Sequence, residues 1–549
     1  MYILSTILLG AALVHAGQVV KNWDITYLTT NRGVDQPARR GITVNGQFPI
    51  PPVQATAGDT LVLNVHNSLD VPTSLHSHGI LQRGTNYYDG VSMTTECSIA
   101  PGSNFTYNIP LKQAGTYWIH GHTSEQLFDG LRIPLIIRNP FEPYRYDDEL
   151  TLAFEDWWPQ NFGDFLNTVL TKHIIPLSPP PRLLVNGLPA NQTRSLSFKP
   201  GRTYRIRLIS MLSMPHVEFS IDNHDLQIVE VDGVYTKRKA VKVVRLSSGQ
   251  RVSVLVTAKP TTNLNYNYHV SMLAEFLPSV PDVIPITYTS TVVYSPNASV
   301  QNTTSIPSEP FDDLGLEALP ISISSIIDNL LQLQVLSPDR SLFIEAHMGF
   351  NMQYVPYESF NYKSYAAPLV PSMLSAMTTG SRAINPMTYG PQTNAHVLNY
   401  GDVIELVVTS ASFVSHSFHL HGHVFQIVER GFNNDTTGAL RRSIPPGANP
   451  VQRDTIYIPQ GQYAVIRFKA DNPGAWLFHC HFDIHMGMGM NMVFIEAPTR
   501  MQSTLKIPQT IIDQCKSQGK PYSGNVVGHS TYNYDGAPNM PDILPIPGA

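Results

Sequence analysis

Short runs of alternating apolar and polar residues recur along the chain, each introduced by a glycine turn. In AGDTLVLNVHN, near residue 57, Leu61, Leu63 and Val65 recur at every second position, so their side chains share one face of a strand. The phrase returns as PGRTYRIRLIS near 200 and as YGDVIELVVTS near 400. A second phrase, IAPGSNFTYNI near 99, returns as LSSGQRVSVLV near 246 and IPQGQYAVIRF near 458. A third, GTYWIHGH near 115, returns as GAWLFHCH near 474. A glycine turn followed by alternation or a short apolar run is a strand signal. Three copies of a strand-rich unit predict an all-β chain of three β-sandwich domains in tandem. The domains are expected at 17–140, 141–300 and 335–500, joined by a linker over 301–334 whose Leu-rich part includes a short helix. The tail 501–549 is expected to wrap back over the body.

Composition fits this picture. The 549 residues exceed one ordinary core, and 42% apolar against 14% charged residues suits a packed protein rather than a disordered one. The 44 prolines and 36 glycines suit a turn-rich β chain. A formal charge of −5 and the lack of a basic stripe argue against nucleic acid as a partner. The N-terminus, MYILSTILLGAALVHAG, reads as a secretory leader with cleavage after Ala16, although its n-region lacks a positive charge. No later stretch has the ~20 apolar residues that span a bilayer, and the ending PDILPIPGA is no membrane anchor. The expected product is secreted and monomeric, in the medium, the cell wall or a secretory vesicle. Sequons at Asn104, Asn191, Asn297, Asn302 and Asn434 fit a glycosylated exoprotein.

Candidate chemistry lies in the histidines. Ten of the 20 fall into four motifs: His76-Ser-His78, His120-Gly-His122, His416-Ser-Phe-His419-Leu-His421, and His479-Cys480-His481 with His485 following. Alternate strand residues point to one face, so each His-x-His pair can aim at one place. In His479-Cys480-His481 the imidazoles point one way and the thiol the other, so one strand can serve two metal sites. Two imidazoles, one thiolate and a weak axial thioether form the blue-copper ligand set; Cys480, His485 and Met490 follow at intervals of five, and His416 supplies the second imidazole. The remaining histidines would form a multinuclear site able to bind dioxygen. Of three cysteines, Cys480 is then taken by metal, which leaves Cys97 and Cys515 to form a disulfide or to remain as two buried thiols.

The motifs HSHG, HGH, HSFHLHGH and HCHFDIH resemble the four signatures of the multicopper oxidase family, and RFKADNPGAWLFHCH and NYYDGV are most similar to fungal laccases and fungal iron oxidases. The resemblance covers nearly the whole chain after the leader. It implies three cupredoxin-like Greek-key sandwiches and four copper ions per monomer: one type 1, one type 2 and a type 3 pair. It places His416, Cys480 and His485 on type 1 copper, with Met490 axial among the crowd of Met486, Met488 and Met492. It places His76 and His419 on type 2 copper, and His78, His120, His122, His421, His479 and His481 on the type 3 pair. His423 follows the same spacing but matches no ligand in the family.

Reducing dioxygen to water also needs protons. Asp89 and Asp483 match positions where the family carries proton-relaying acids, and that role is favoured for both over the alternative for Asp89, a turn-forming Asp before Gly90. Asp222, in FSIDNHD, matches a position where laccases hold an acid that accepts the phenol proton, and it suits an iron-binding acid equally well. Ser412 stands where fungal iron oxidases have an acid four residues before the first histidine of the third motif. The resemblance therefore favours a laccase-like oxidase of phenols or naphthols, coupling aromatic polyketides in pigment or secondary-metabolite synthesis. The alternative is a soluble ferroxidase. A third reading, a copper-storage or electron-transfer protein, would not use a full multinuclear ligand set.

Overall fold

A computed structural model describes residues 16–545 except 33–37, 173–180, 190–191, 193, 274–285, 304–305, 308–312, 320–333, 352–354, 413 and 539–543. The leader, Asn191 and most of the Leu-rich stretch with its expected helix lie outside the described residues.

Strands dominate, and they build six sheets. The three copies of the first phrase become equivalent strands, Thr60–Asn67, Thr203–Ser210 and Val403–Ser410. Each pairs in parallel with the strand that opens its unit: Gln18–Thr30, Asp148–Trp157 and Arg340–Phe350. Each pairs antiparallel with the strand formed by the second phrase: Asn104–Pro110, Arg251–Thr257 and Gln462–Lys469. A parallel neighbour cannot be reached by a tight hairpin, so the chain crosses to a second sheet in between and makes a sandwich. In Thr60–Asn67 alternation is complete, with Leu61, Leu63 and Val65 buried and their neighbours partly exposed.

The histidine motifs occupy the other sheet of the first and third units. Leu75–His78 pairs with Gly115–Gly121, placing His76 opposite His120. His416–Leu420 pairs with Gly474–Cys480, placing His419 opposite His479 and Phe418 opposite Cys480. The third-unit strand has two buried faces. Ala475 and Leu477 pack into a core that includes Ile119 and Leu135 of the first unit, whereas Phe478 and Cys480 pack with Phe418 and Phe494 inside the third. Continuing that parity sends His479 and His481 toward the first unit and Cys480 away from it.

The tail returns to the body. Met501, Ile511 and Cys515 join the first unit's core, and Cys515, on the helix Gln509–Ser517, is disulfide-bonded to Cys97. Leu544–Pro545 pairs with Arg340–Phe350. No helix of the described residues is long and apolar enough to cross a membrane.

Beside the disulfide, Glu96 is fully buried and accepts a hydrogen bond from Tyr107 Oη at 2.6 Å. Burial raises its pKa from 4.5 to about 8. The folded state thus holds the proton more tightly than the unfolded chain, and stability falls as pH rises from about 4.5 to about 8. Glu96→Gln is already neutral, so its melting temperature relative to the parent should rise steadily between pH 5 and pH 8, by the equivalent of about 2–4 kcal/mol. Thermal unfolding at the two pH values checks this.

Candidate metal centre

All ten motif histidines converge from the first and third units, through rings packed 3.8–6.0 Å apart or through the Cys480 thiol. Two assemblies result. In the smaller one, Cys480 Sγ lies 3.4 Å from His485 Nδ1 and 3.6 Å from His416 Nδ1, and these two nitrogens are 3.1 Å apart. His416 is fixed from behind, its Nε2 being 2.7 Å from Ser412 Oγ. Met490 is fully buried in the core around Cys480, and its backbone carbonyl accepts from Cys480 N.

The larger assembly holds the other eight histidines. His76, His419 and His421 present ring nitrogens within 4.8 Å of one another; so do His76, His78 and His120, and so do His122, His421 and His479. His481 Nε2 lies 3.2 Å from His78 Nδ1, and His421 Nε2 lies 3.1 Å from His479 Nε2.

The outer ring nitrogens are fixed by oxygen acceptors. Nδ1 of His76, His120, His419 and His479 donates to the carbonyls of Asp89, Gly121, Asp454 and Cys480, at 2.7–3.1 Å. His421 Nδ1 donates to Asp89 Oδ2 at 2.9 Å, and His481 Nδ1 is 3.0 Å from Ser248 Oγ. His78 is reversed: its Nε2 faces Asp454 Oδ1 and Thr455 Oγ1, so Nδ1 points inward. With one nitrogen donating outward, the inner nitrogen carries a lone pair. Inner nitrogens of His76, His120, His122 and His419 have no hydrogen-bond partner among the described residues. Lone pairs facing each other across 3.1–3.2 Å repel unless a cation lies between them. Outward N–H groups tied to carbonyls or carboxylates and inward lone pairs are the arrangement of metal-binding imidazoles. The residues fit a metal.

Electrostatics agree. Burial and neighbouring rings hold His78, His120, His122, His416, His419, His421 and His481 well below the usual imidazole range, and burial brings His479 and His485 down to about 3. These rings are neutral, as ligands must be. Burial pushes the Cys480 thiol up, so it loses its proton only to a cation.

Three multicopper oxidase family models match residues 25–142, 148–296 and 362–500. The chain belongs to the multicopper oxidase family. It is an oxidoreductase that uses oxygen as acceptor, and its cofactor is copper, in type 1, type 2 and type 3 sites. The chain is 37% identical over 513 residues to the iron transport multicopper oxidase fio1 of Schizosaccharomyces pombe, covering 92% of this chain and 80% of that protein. It is 34% identical over 558 residues to the iron transport multicopper oxidase fetC of Epichloe festucae, covering 98% and 87%. Among solved structures, Fet3p, a multicopper oxidase that functions in iron import, superposes with a TM-score of 0.83 at 30% identity, over 92% of this chain and 96% of that one. A laccase from Botrytis aclada superposes with a TM-score of 0.73 at 27% identity, over 92% of each chain.

The acids lie in three settings. Asp89 is within the larger assembly, bonded to His421 through its carboxylate and to His76 through its carbonyl. Gly90 makes this approach possible: at φ 75°, a Cβ there would sit 1.9 Å from the Leu75 carbonyl. Asp483 is buried with Oδ2 unpartnered among the described residues, and burial together with Glu125 raises it well above the carboxylate range. Glu125 itself, raised to about 8, lines a cavity that also reaches His122.

Asp222 does not join the assemblies. Its carboxylate accepts from Thr303 Oγ1 at 2.6 Å and lies 3.1 Å from His269 Nε2. It follows the strand His216–Ile221, whose opposite end packs on Phe482 beside His485, and six strand residues span about 20 Å. Asp222, matched by resemblance to an acid that receives the phenol proton or binds iron, is thus placed at the far end of that strand from His485. The sequence signal marked a turn and not a neighbour.

Another acid stands there instead. Glu358, on the strand Pro356–Phe360, is fully buried with Oε1 3.9 Å from His485 Nε2, and burial raises its pKa well above the usual range. Neither carboxyl oxygen has a hydrogen-bond partner among the described residues. Glu358, Glu125, Asp454 and Ser248 were not singled out from the sequence, since none sits at motif spacing. His423 Nε2 lies 2.8 Å from a Glu496 carboxylate oxygen, and its ring packs on Phe468 and Trp476 rather than on either assembly.

Proposed function

We propose that this oxidase takes electrons from ferrous iron at the His485 edge. Glu358 carries this reading: it is a hard oxygen donor beside the nitrogen of His485 that points away from Cys480. The names of the relatives agree, since fio1, fetC and Fet3p are all described as acting in iron transport or import. Four ferrous ions, one dioxygen and four protons give four ferric ions and two waters.

In this reading His416, Cys480, His485 and Met490 would hold type 1 copper; His76 and His419 would hold type 2; and His78, His120, His122, His421, His479 and His481 would hold the type 3 pair. Bound copper supplies one-electron redox chemistry, which matches a one-electron donor to a four-electron acceptor. The run His479-Cys480-His481 would join the two copper sites through a few covalent bonds, giving an electron a short route from the Cys480 side to the imidazole side. Asp89 and Asp483 deliver protons. The three sandwiches divide at 17–140, 141–300 and 335–500. The leader over residues 1–16 directs secretion, and Asn104, Asn297, Asn302 and Asn434, all exposed, carry glycans together with Asn191.

Phenol oxidation is the second reading, and Ser412 favours it. Its hydroxyl, committed to His416, provides no anionic ligand for iron. Oxygen uptake by the copper-loaded protein, with ferrous iron compared against phenols and naphthols, separates the two. Iron is expected to turn over faster, and Glu358→Gln should raise the KM for iron about tenfold or more while leaving the aromatic donors unchanged, a loss of ~1.4 kcal/mol in binding. Faster aromatic turnover, with the iron KM unmoved by Glu358→Gln, would establish the laccase reading instead.

A further inference from the structure

The middle unit supplies none of the ten motif histidines, yet one of its turns reaches the larger assembly. The turn 247–250 joins the strands Val243–Leu246 and Arg251–Thr257, and Ser248 within it and Arg251 just after it are fully buried. Gly249 stands against two imidazoles from different units. At φ 85°, a Cβ there would lie 2.9 Å from His481 Cδ2 and 3.1 Å from His78 Cε1, so a side chain would push on both rings.

Hydrogen bonds from this turn set the two rings in opposite tautomers. The Ser248 hydroxyl donates to a carbonyl, that of Leu212 or of His481 itself, which leaves its oxygen to accept from His481 Nδ1 at 3.0 Å. A proton on Nδ1 puts the His481 lone pair on Nε2. Arg251 acts through Asp454. Its Nη1 and Nη2 donate to Asp454 Oδ1 and Oδ2 at 2.8 and 2.6 Å, a two-pronged pairing that keeps both oxygens as acceptors. Asp454 Oδ1 then accepts from His78 Nε2 at 3.2 Å, which puts the His78 lone pair on Nδ1. These two lone-pair nitrogens face each other across 3.2 Å. The other tautomer in either ring would place a proton in the gap that a cation has to fill. Arg251 is itself tied to the first unit, since its Nε donates at 3.0 Å to the carbonyl of Thr116, on the strand that carries His120.

We propose that Ser248 and Arg251 are positioning residues of the oxygen-reducing site, a role that rests on the proposed assignment of His78 and His481 to the type 3 pair. One turn of a unit without ligands makes a first-unit ring and a third-unit ring into matched donors for one ion.

The test compares the copper-loaded full chain with Ser248→Ala, which removes the acceptor for His481 Nδ1, and with Arg251→Lys, which keeps the charge but not the fork. In competition with EDTA, copper in the eight-histidine assembly should be held about 10- to 100-fold more weakly in both variants. Paired cupric spins cancel, so a displaced pair should add an EPR signal that the parent lacks, while the blue absorption stays. Parental copper affinity and EPR spectrum in either variant would overturn the inference. So would a lower melting temperature with the EPR spectrum unchanged, which marks a merely structural contact. A parent chain that binds a single ion would overturn the type 3 assignment, and this role with it.

Discussion

Cys480→Ser is expected to abolish the blue absorption of the copper-loaded protein and to cut oxygen uptake by at least about a thousandfold with every donor, ~4 kcal/mol of activation free energy. The hydroxyl keeps the shape but not the soft, electron-rich sulfur that the two imidazoles at 3.4 and 3.6 Å are arranged around. The loss should be local. His479 and His481 keep their contacts to the Cys480 carbonyl and to Ser248, so the eight-histidine assembly should still load. Copper content should therefore fall by one ion per chain, and metal analysis with absorption spectroscopy on one sample checks both parts. Retained blue colour would remove Cys480 from the proposed site. Because burial keeps the free thiol protonated, loading of the parent at this position should also release a proton and weaken as pH falls.

Much of this site was legible because strand parity is a short-range rule. Once His479-Cys480-His481 is taken as a strand, chemistry on two faces follows without knowledge of the rest of the fold. The repeats were legible for a similar reason, since a glycine turn and alternating Leu61, Leu63 and Val65 report local geometry. What was not legible depended on packing between distant segments. Glu358 precedes His485 by more than a hundred residues, and PYESF carries no sign that its strand runs beside the metal loop. Ser248 reaches His481 from the middle unit, and Asp454 reaches His78 from a bend between two strands that carry no histidine. Asp222 shows the converse error. Its motif resemblance was local, but the length of its strand carries it away from the metal. A position matched by motif fixes the backbone context, and the neighbours follow only from the three-dimensional packing.

Asp89 separates two roles that the sequence could not. Its carboxylate holds His421 Nδ1 at 2.9 Å while its carbonyl holds His76 Nδ1 at 2.7 Å, so it orients two rings of the larger assembly as well as offering an acid there. Asp89→Ala leaves a buried N–H on His421 without an acceptor, a cost of about 1–3 kcal/mol. Loss of such an orienting group lowers metal affinity or activity by about 10- to 100-fold. Oxygen uptake should fall by that factor with iron and with phenols alike, because both share the acceptor. The blue absorption should stay, since His416, Cys480 and His485 make no hydrogen bond to Asp89. Asp89→Asn discriminates further. Its amide oxygen can still accept from His421, so a purely orienting Asp89 predicts near-parental copper content and uptake. A proton-carrying Asp89 predicts full copper content with uptake still depressed, because the amide cannot take up and release the proton that water formation consumes. Copper analysis and oxygen uptake on the two variants decide between these roles, and full uptake in Asp89→Asn would eliminate proton carriage by this residue.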